Sequence, residues 1–222
     1  MAYKLSASSL YLFEECPRCF WLKLNKKISR PEVAFPSLPA GMDHILKEHF
    51  DSYTLLGELP PELNGKVADC KLFDDVKALR SMRAPNGSLK WEDEDGNVLC
   101  GAIDCLLVKG DRVIILDYKT RGYAIKEDTH KHYNNQMDIY AFLLQQAGYN
   151  IEDYAFLLFY FPKQVNRNGD FVFDSRLVRI NVSPERARKL FRRGVEVLKG
   201  PMPAPSPDCG FCRWAEKLSV LY

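Results

Sequence analysis

The strongest structural signal in the chain lies between Val98 and Thr120, two apolar runs on either side of a polar turn. It reads as strand, turn, strand: Val-Leu-Cys-Gly-Ala-Ile-Asp-Cys-Leu-Leu-Val, then Lys-Gly-Asp-Arg, then Val-Ile-Ile-Leu-Asp-Tyr-Lys-Thr. Downstream, residues 132–147 predict an amphipathic helix whose stripe is Tyr133, Met137, Tyr140, Leu144 and Ala147. Strands are expected near 154–161 and 176–182, then a helix opened by Ser183 as cap and Pro184 at its first position. Upstream, residues 6–24 predict a short helix capped by serine, a knuckle at Cys16-Pro17-Arg18-Cys19, and a second helix. Prolines 31, 36 and 39 mark a loop, after which Met42, Ile45, Leu46, His49, Phe50 and Tyr53 recur at helical spacing. The stretch 57–90 is broken by Pro and Gly and yields no assignment, whereas 200–208, Gly-Pro-Met-Pro-Ala-Pro-Ser-Pro-Asp, reads as an extended tether. The order is mixed α/β.

Composition narrows the class. In 222 residues, 46% are apolar and 27% charged, enough for one substantial core and unlike a disordered chain. A single domain over 1–222 is expected, with 1–30 and 200–222 as terminal segments. The 31 basic and 29 acidic residues leave a net charge of +2, so any basic surface must be local. No apolar stretch approaches a membrane span, and the start lacks the order of a secretory signal, so a cytoplasmic protein without a membrane partner is expected. No phosphate-binding Gly-x-x-x-x-Gly-Lys-Ser/Thr loop occurs, which excludes a P-loop ATPase motor.

The hairpin carries candidate chemistry. If Gly110-Asp111 forms a two-residue turn, Lys109 pairs with Arg112, every pair of partners sums to 221, and Asp104 faces Asp117. Opposed residues on one face have Cβ atoms ~5 Å apart. At an effective dielectric near 20, two carboxylates at that distance repel by about 3 kcal/mol before screening. A divalent cation such as Mg²⁺ or Mn²⁺ removes the penalty. Alternation puts Lys119 on the same face, opposite the small Ala102, so an ammonium stands beside the proposed metal. A metal and a positioned lysine together suit cleavage of a phosphodiester. Gln136 lies one turn before Tyr140 on the flank of the apolar stripe, a half-buried amide that needs a partner.

Gly101-Ala102-Ile103-Asp104, then Asp117-Tyr118-Lys119-Thr120, then Gln136 with Tyr140, resemble successive motifs of RecB-type nucleases in the PD-(D/E)XK superfamily. The CRISPR adaptation exonucleases and the AddB nuclease domain belong to that group. The resemblance implies a restriction-endonuclease-like core, a central mixed β-sheet flanked by helices. It also implies Asp104, Asp117 and the Tyr118 carbonyl as metal ligands, Lys119 as catalytic lysine, and Gln136 and Tyr140 directed at the lysine and the DNA backbone. Relatives carry a further metal-binding His on an early helix. Gly41, His44 and Glu48 approximate that pattern, though only two residues separate Gly from His. His44 lies opposite the apolar stripe and serves as a ligand only if that face lines the cleft. His49 reads as a packed helix residue, and His130 and His132 as loop residues.

Cys16-x-x-Cys19 and Cys209-x-x-Cys212 are two knuckles at opposite ends of the chain, and each spacing lets both sulfurs reach one centre. A metal centre closing the N-terminal segment onto the C-terminal one is expected. The knuckles resemble zinc sites, whereas the nuclease relatives hold a [4Fe–4S] cluster through one N-terminal and three C-terminal cysteines. The resemblance favours the cluster over Zn²⁺, while four thiolates serve either. Of the other three cysteines, Cys105 points away from Asp104 and reads as core.

The expected function is a metal-dependent DNA nuclease, an exonuclease on single-stranded or end-containing DNA, with other DNA-processing proteins as partners. Arg186, Arg188, Lys189, Arg192 and Arg193, with Arg18, Lys23, Lys26 and Lys27, are candidates for tracking phosphates. Two rivals stand beside it: a zinc-stapled nucleic-acid-binding module with vestigial carboxylates, and the same fold acting on RNA or branched DNA.

Overall fold

A computed structural model describes residues 2–31, 37–84 and 87–219. Its centre is a five-stranded mixed sheet in the order β2 (Lys71–Leu72), β5 (Cys105–Lys109), β6 (Arg112–Thr120), β7 (Tyr154–Val165), β8 (Phe171–Asn181). Within this sheet only β6 and β7 are parallel neighbours, and parallel neighbours require a crossover. The connection contains a 3₁₀ turn (Thr129–Tyr133) and α5 (Asn134–Gln146). A smaller sheet joins β1 (Lys4–Ser6), β4 (Val98–Cys100) and β3 (Lys90–Glu92), with β4 in the middle.

The β5–β6 register follows the turn. Gly110 has φ +58° while Asp111 does not share the positive φ, which suits a type II′ turn, and Lys109 pairs with Arg112 through to Cys105 with Leu116. The expected continuous strand from Val98 does not form, however. The ladder stops at Cys105, and Gly101–Asp104 crosses from one sheet to the other. There Gly101 N–H donates to the Leu89 carbonyl at 3.0 Å and Ile103 N–H to the Met82 carbonyl at 3.3 Å. Ala102 therefore does not sit opposite Lys119; the paired neighbour of Lys119 is Phe159 on β7.

Gly101 permits this crossing because α5 presses on it. A Cβ there would stand 2.9 Å from Leu143 Cδ1 and 3.0 Å from the Tyr140 ring. We expect Gly101→Val to destabilise the fold by about 1–3 kcal/mol through overpacking. In a urea titration the midpoint should drop with the slope unchanged.

Alternation along the sheet separates two cores. Leu106, Ile115, Leu157 and Phe159 pack with Leu10, Ile139, Leu143 and Phe191. These last come from α1 (Ala7–Glu15), α5 and α6 (Pro184–Lys199). On the opposite face Leu107, Ile114, Leu116 and Leu158 meet Leu46 and Phe50 of α3 (Ser37–Leu56). Each such side chain stabilises the fold by roughly 1.5–3 kcal/mol relative to exposure. Asp117 and Lys119 have the parity of Ile115 and so point to the α1/α5 side.

Helix ends follow local chemistry. Ser6 and Ser9 cap α1 reciprocally, and Ser183 Oγ accepts from Arg186 N–H at 3.3 Å at the start of α6. Asp138 of α5 reinforces the second cap, accepting from Ser183 N–H at 2.7 Å and from Arg186 Nε and Nη2 at 2.7 and 2.8 Å. The proline loop is shorter than expected. Pro39 sits in the first turn of α3, where a missing N–H leaves no helix bond unmade, while Pro36 lies outside the described residues. The unassigned 57–90 stretch contains β2, α4 (Val76–Arg83) and the start of β3. Helix α5 is wider-buried than its stripe: every residue from Met137 to Leu144 is buried, because α6 and Trp91 cover the side away from the sheet.

Candidate active site and cysteine centre

Asp117 and Lys119 occupy the C-terminal half of β6, and Asp104 stands one position beyond the last β5–β6 pair. The Asp104 carboxylate turns back onto β6, where Oδ2 accepts from Tyr118 N–H at 3.1 Å. Its main chain is pinned from α4, since Arg83 Nε donates to the Asp104 carbonyl at 2.7 Å while Arg83 Nη1 lies 2.8 Å from Asp51 of α3. Lys119 contacts Asp117 directly as an ion pair. Lys47 of α3 places its ammonium 3.2 Å from Asp104 Oδ1 and 2.6 Å from Asp43.

The electrostatics of Asp117 are unusual for an aspartate. Asp117 is 1% exposed, and burial, with Asp104 close by, pushes its carboxyl up to about 7 despite the opposing pull of Lys119. The Lys119 ammonium lies against its Oδ2. Burial opposes the charge on Lys119, but the Asp117 carboxylate outweighs it and holds the amine above its ordinary range. A buried carboxylate beside a second carboxylate is a donor set for a hard divalent cation. The residues present fit such an ion.

Gln136 and Tyr140 of α5 form the partnership that the spacing required: Gln136 Nε2 donates to Tyr140 Oη at 2.8 Å. Tyr140 is 5% exposed, and burial, reinforced by the Asp117 charge, raises its phenol well above the ordinary range. It therefore stays protonated. The Tyr118 side chain points the other way, into the α3 core, with its ring 4.5 Å from Phe50.

His44 is not brought to the carboxylates. Its side chain is 77% exposed and meets Glu48 at 3.4 Å on the outer face of α3; the α3 residue that reaches Asp104 is Lys47. The Asp43/Lys47 pair at i,i+4 was visible in the sequence, but nothing local revealed which turn of α3 faces the hairpin. His49 packs against Phe50 and Tyr53 and lies 3.3 Å from Glu62, which also accepts from Tyr160 Oη at 3.0 Å. Several basic residues considered for phosphates are structural. Arg186 belongs to the Asp138 cap, Arg193 lies over Phe13 at 5.6 Å, and Arg18 bonds the Pro203 carbonyl and Glu216.

The four knuckle cysteines converge. Cys16 Sγ lies 3.8 Å from Cys212 Sγ, Cys19 Sγ lies 3.6 Å from both Cys209 and Cys212, and all four sulfurs fall within 4.8 Å of one another. They are buried, and they form the only group of three or more potential metal ligands among the described residues. Burial raises Cys19 and Cys212; at Cys16 burial is outweighed by hydrogen bonds from Cys19, Ser206 and the neighbouring thiols, which bring it to about 7. Thiols crowded together in this way are stabilised as thiolates by a metal cation. Arg30 adds positive charge, with Nη2 3.9 Å from Cys209 Sγ and its guanidinium 4.6 Å from the Phe211 ring. Around this centre, Trp21 Nε1 donates to the Gly200 carbonyl at 3.0 Å, and Tyr3 and Asn25 both donate to the Leu198 carbonyl. The N-terminal segment, which includes the short α2 (Pro17–Trp21), is thereby tied to the end of α6 and to α7 (Gly210–Ser219).

The sequence profile of the PD-(D/E)XK nuclease superfamily matches residues 68–216, which is more than half of the chain and includes Asp104, Asp117, Lys119, Gln136 and Tyr140. The chain belongs to the PD-(D/E)XK nuclease superfamily, whose substrates are nucleic acids and whose chemistry generally uses divalent metals. No curated protein matches it. Among solved structures it is similar to the one described as "Crystal structure of SSO0001", at 16% identity and a TM-score of 0.48, with 97% of this chain and 85% of that chain covered. Among the described residues, no helix is long and apolar enough to cross a membrane.

Proposed function

We propose that this protein is a divalent-metal-dependent deoxyribonuclease that hydrolyses phosphodiesters at the end of β6, acting as an exonuclease on single-stranded or end-containing DNA in the cytoplasm. The observation that carries the reading is the buried Asp117 carboxylate, raised by burial and by the neighbouring Asp104 and paired with Lys119. Mg²⁺ or Mn²⁺ held by Asp104, Asp117 and the Tyr118 carbonyl would supply Lewis acidity and an activated water. Lys119 stabilises the charge that develops on the attacked phosphate. Gln136 and the protonated Tyr140 orient the backbone from α5. His44 joins the ligand set only if its side chain swings from solvent toward Asp104. The whole chain acts as one nuclease domain, with 1–30 and 200–222 as its clasp, alongside other DNA-processing proteins.

In the same reading the cysteines hold a [4Fe–4S] cluster, supported by the likeness to cysteine-bearing relatives. A second reading, one Zn²⁺ ion, is favoured by the sulfur spacing: four thiolates at about 2.3 Å from a tetrahedral ion stand about 3.8 Å apart. The observed close pairs are 3.6–3.8 Å. Four thiolates each bound to a different iron spread wider than that.

The test is a cleavage assay on labelled single- and double-stranded DNA with Mn²⁺, with Mn²⁺ plus excess chelator, and on RNA. Cutting of DNA that stops in chelator is the expected result. Equal cutting in chelator, or binding without cutting under every metal condition, would sink the proposal in favour of the binding module.

A further inference from the structure

We propose that the cleft between α1 and the Thr129–Tyr133 turn is a stacking site for an unpaired nucleotide of the DNA strand. The claim that this nucleotide belongs to the strand being cut rests on the nuclease reading above. The cleft has a volume of about 510 Å³ and is lined by Tyr11, Arg121, His132, Tyr133, Asn135 and Gln136 among others. That volume lies within the range of about 300–1,000 Å³ usual for small-ligand sites.

Each wall matches one part of a nucleotide. Tyr11 is 47% exposed, a large aromatic on α1 left uncovered at the cleft while its neighbours Leu10 and Phe13 are in the core. Tyr133 is anchored from behind: its ring meets Phe159 edge-on at 5.8 Å and the Lys119 ammonium lies 4.9 Å from its centroid. A flat base finds aromatic faces here, which accept any base because every base has a π-face. Arg121 brings a guanidinium, with Nη1 3.5 Å from Tyr133 Oη, and this is the group that recognises a phosphate. The cleft lining contains no carboxylate; nearby Glu14 is engaged by Asn135. Position supplies the last argument. Tyr133 separates the cleft from Lys119 by one ring, and Gln136 lines the cleft while bonding Tyr140.

Base faces in a duplex are covered by their neighbours, so only a single strand or a frayed end can place a base against Tyr11. The site thus selects unpaired DNA by stacking rather than by reading sequence.

The experiment measures affinity of wild type, Tyr11→Ala and Tyr11→Phe for a short single strand carrying 2-aminopurine and for a blunt duplex. Chelator is present so that the strands stay intact, and thermal melts check folding. Tyr11→Ala should weaken single-strand binding by roughly 5- to 100-fold, the loss of one stacked base. It should also abolish the fluorescence quenching that stacking produces, with duplex affinity within about twofold of wild type. Tyr11→Phe, which keeps the ring, should restore both signals. Unchanged single-strand affinity, or an equal loss for both DNAs, overturns the stacking site. Tyr11-dependent single-strand binding in a protein that never cuts DNA would sink the nuclease reading and leave the stacking site standing.

Discussion

Replacing Lys119 with alanine should lower DNA cleavage by roughly 10²- to 10³-fold, the usual cost of losing a group that stabilises charge only in the transition state. The substitution leaves Asp104, its Tyr118 N–H bond and its Arg83 strut in place. DNA affinity should therefore change little, since one buried ammonium is not a phosphate-tracking surface. Asp117→Asn is expected to behave differently. It removes a carboxylate whose burial raises it to about 7, so the site loses a metal ligand rather than a transition-state contact. Its activity should recover in part as Mn²⁺ is raised, whereas Lys119→Ala should not respond. Cleavage rates across a Mn²⁺ titration, with binding and melting measured in parallel, separate the two roles. Wild-type cutting by Lys119→Ala would remove the hairpin from consideration as the active site.

The second large effect belongs to the cysteines. Cys209→Ser should reduce bound metal and thermal stability together, because metal binding and the closure of the two termini are one equilibrium. Structural zinc in small peptides contributes about 10–16 kcal/mol of apparent binding free energy, so even a fraction of that loss is large against a total stability of about 5–15 kcal/mol. Serine keeps the size of the side chain but offers no thiolate, and it leaves Cys212 Sγ 3.8 Å from Cys16 Sγ and 3.6 Å from Cys19 Sγ with one ligand missing. Metal analysis and a visible spectrum of anaerobically purified protein distinguish the occupants. Iron with sulfide and a brown colour identifies the cluster, and one zinc per chain without colour identifies the single ion. Full metal content and an unchanged melt in Cys209→Ser would refute the clasp.

What the sequence carried plainly was whatever is decided within a few residues. The Gly110 turn set the β5–β6 register, so the pairing sum of 221 holds at Lys109–Arg112 and through to Cys105–Leu116. The Ser183 cap with Pro184, and the two CxxC knuckles, were legible for the same reason. Features set by distant partners were not. The break at Gly101–Asp104 depends on α5 crowding Gly101 and on carbonyls at Leu89 and Met82. The role of Lys47 depends on which turn of α3 meets Asp104, and Ile45, counted in the apolar stripe, is 63% exposed because α3 shows the sheet a narrower face than its composition permits. Buried Asp138 was missed because its partners come from the cap of α6, outside its own helix.

The cysteine pairs also fix an order of events during synthesis. Cys19 and Cys209 are 190 residues apart in the chain. At a translation rate of about 5–20 residues per second, the first knuckle waits roughly 10–40 s for the second to be made. During that interval two thiols stand where four are needed, and α1, which carries Tyr11 and precedes Cys16 directly, has no anchor at the far end of the molecule. The first knuckle is thus made long before it can reach its final place.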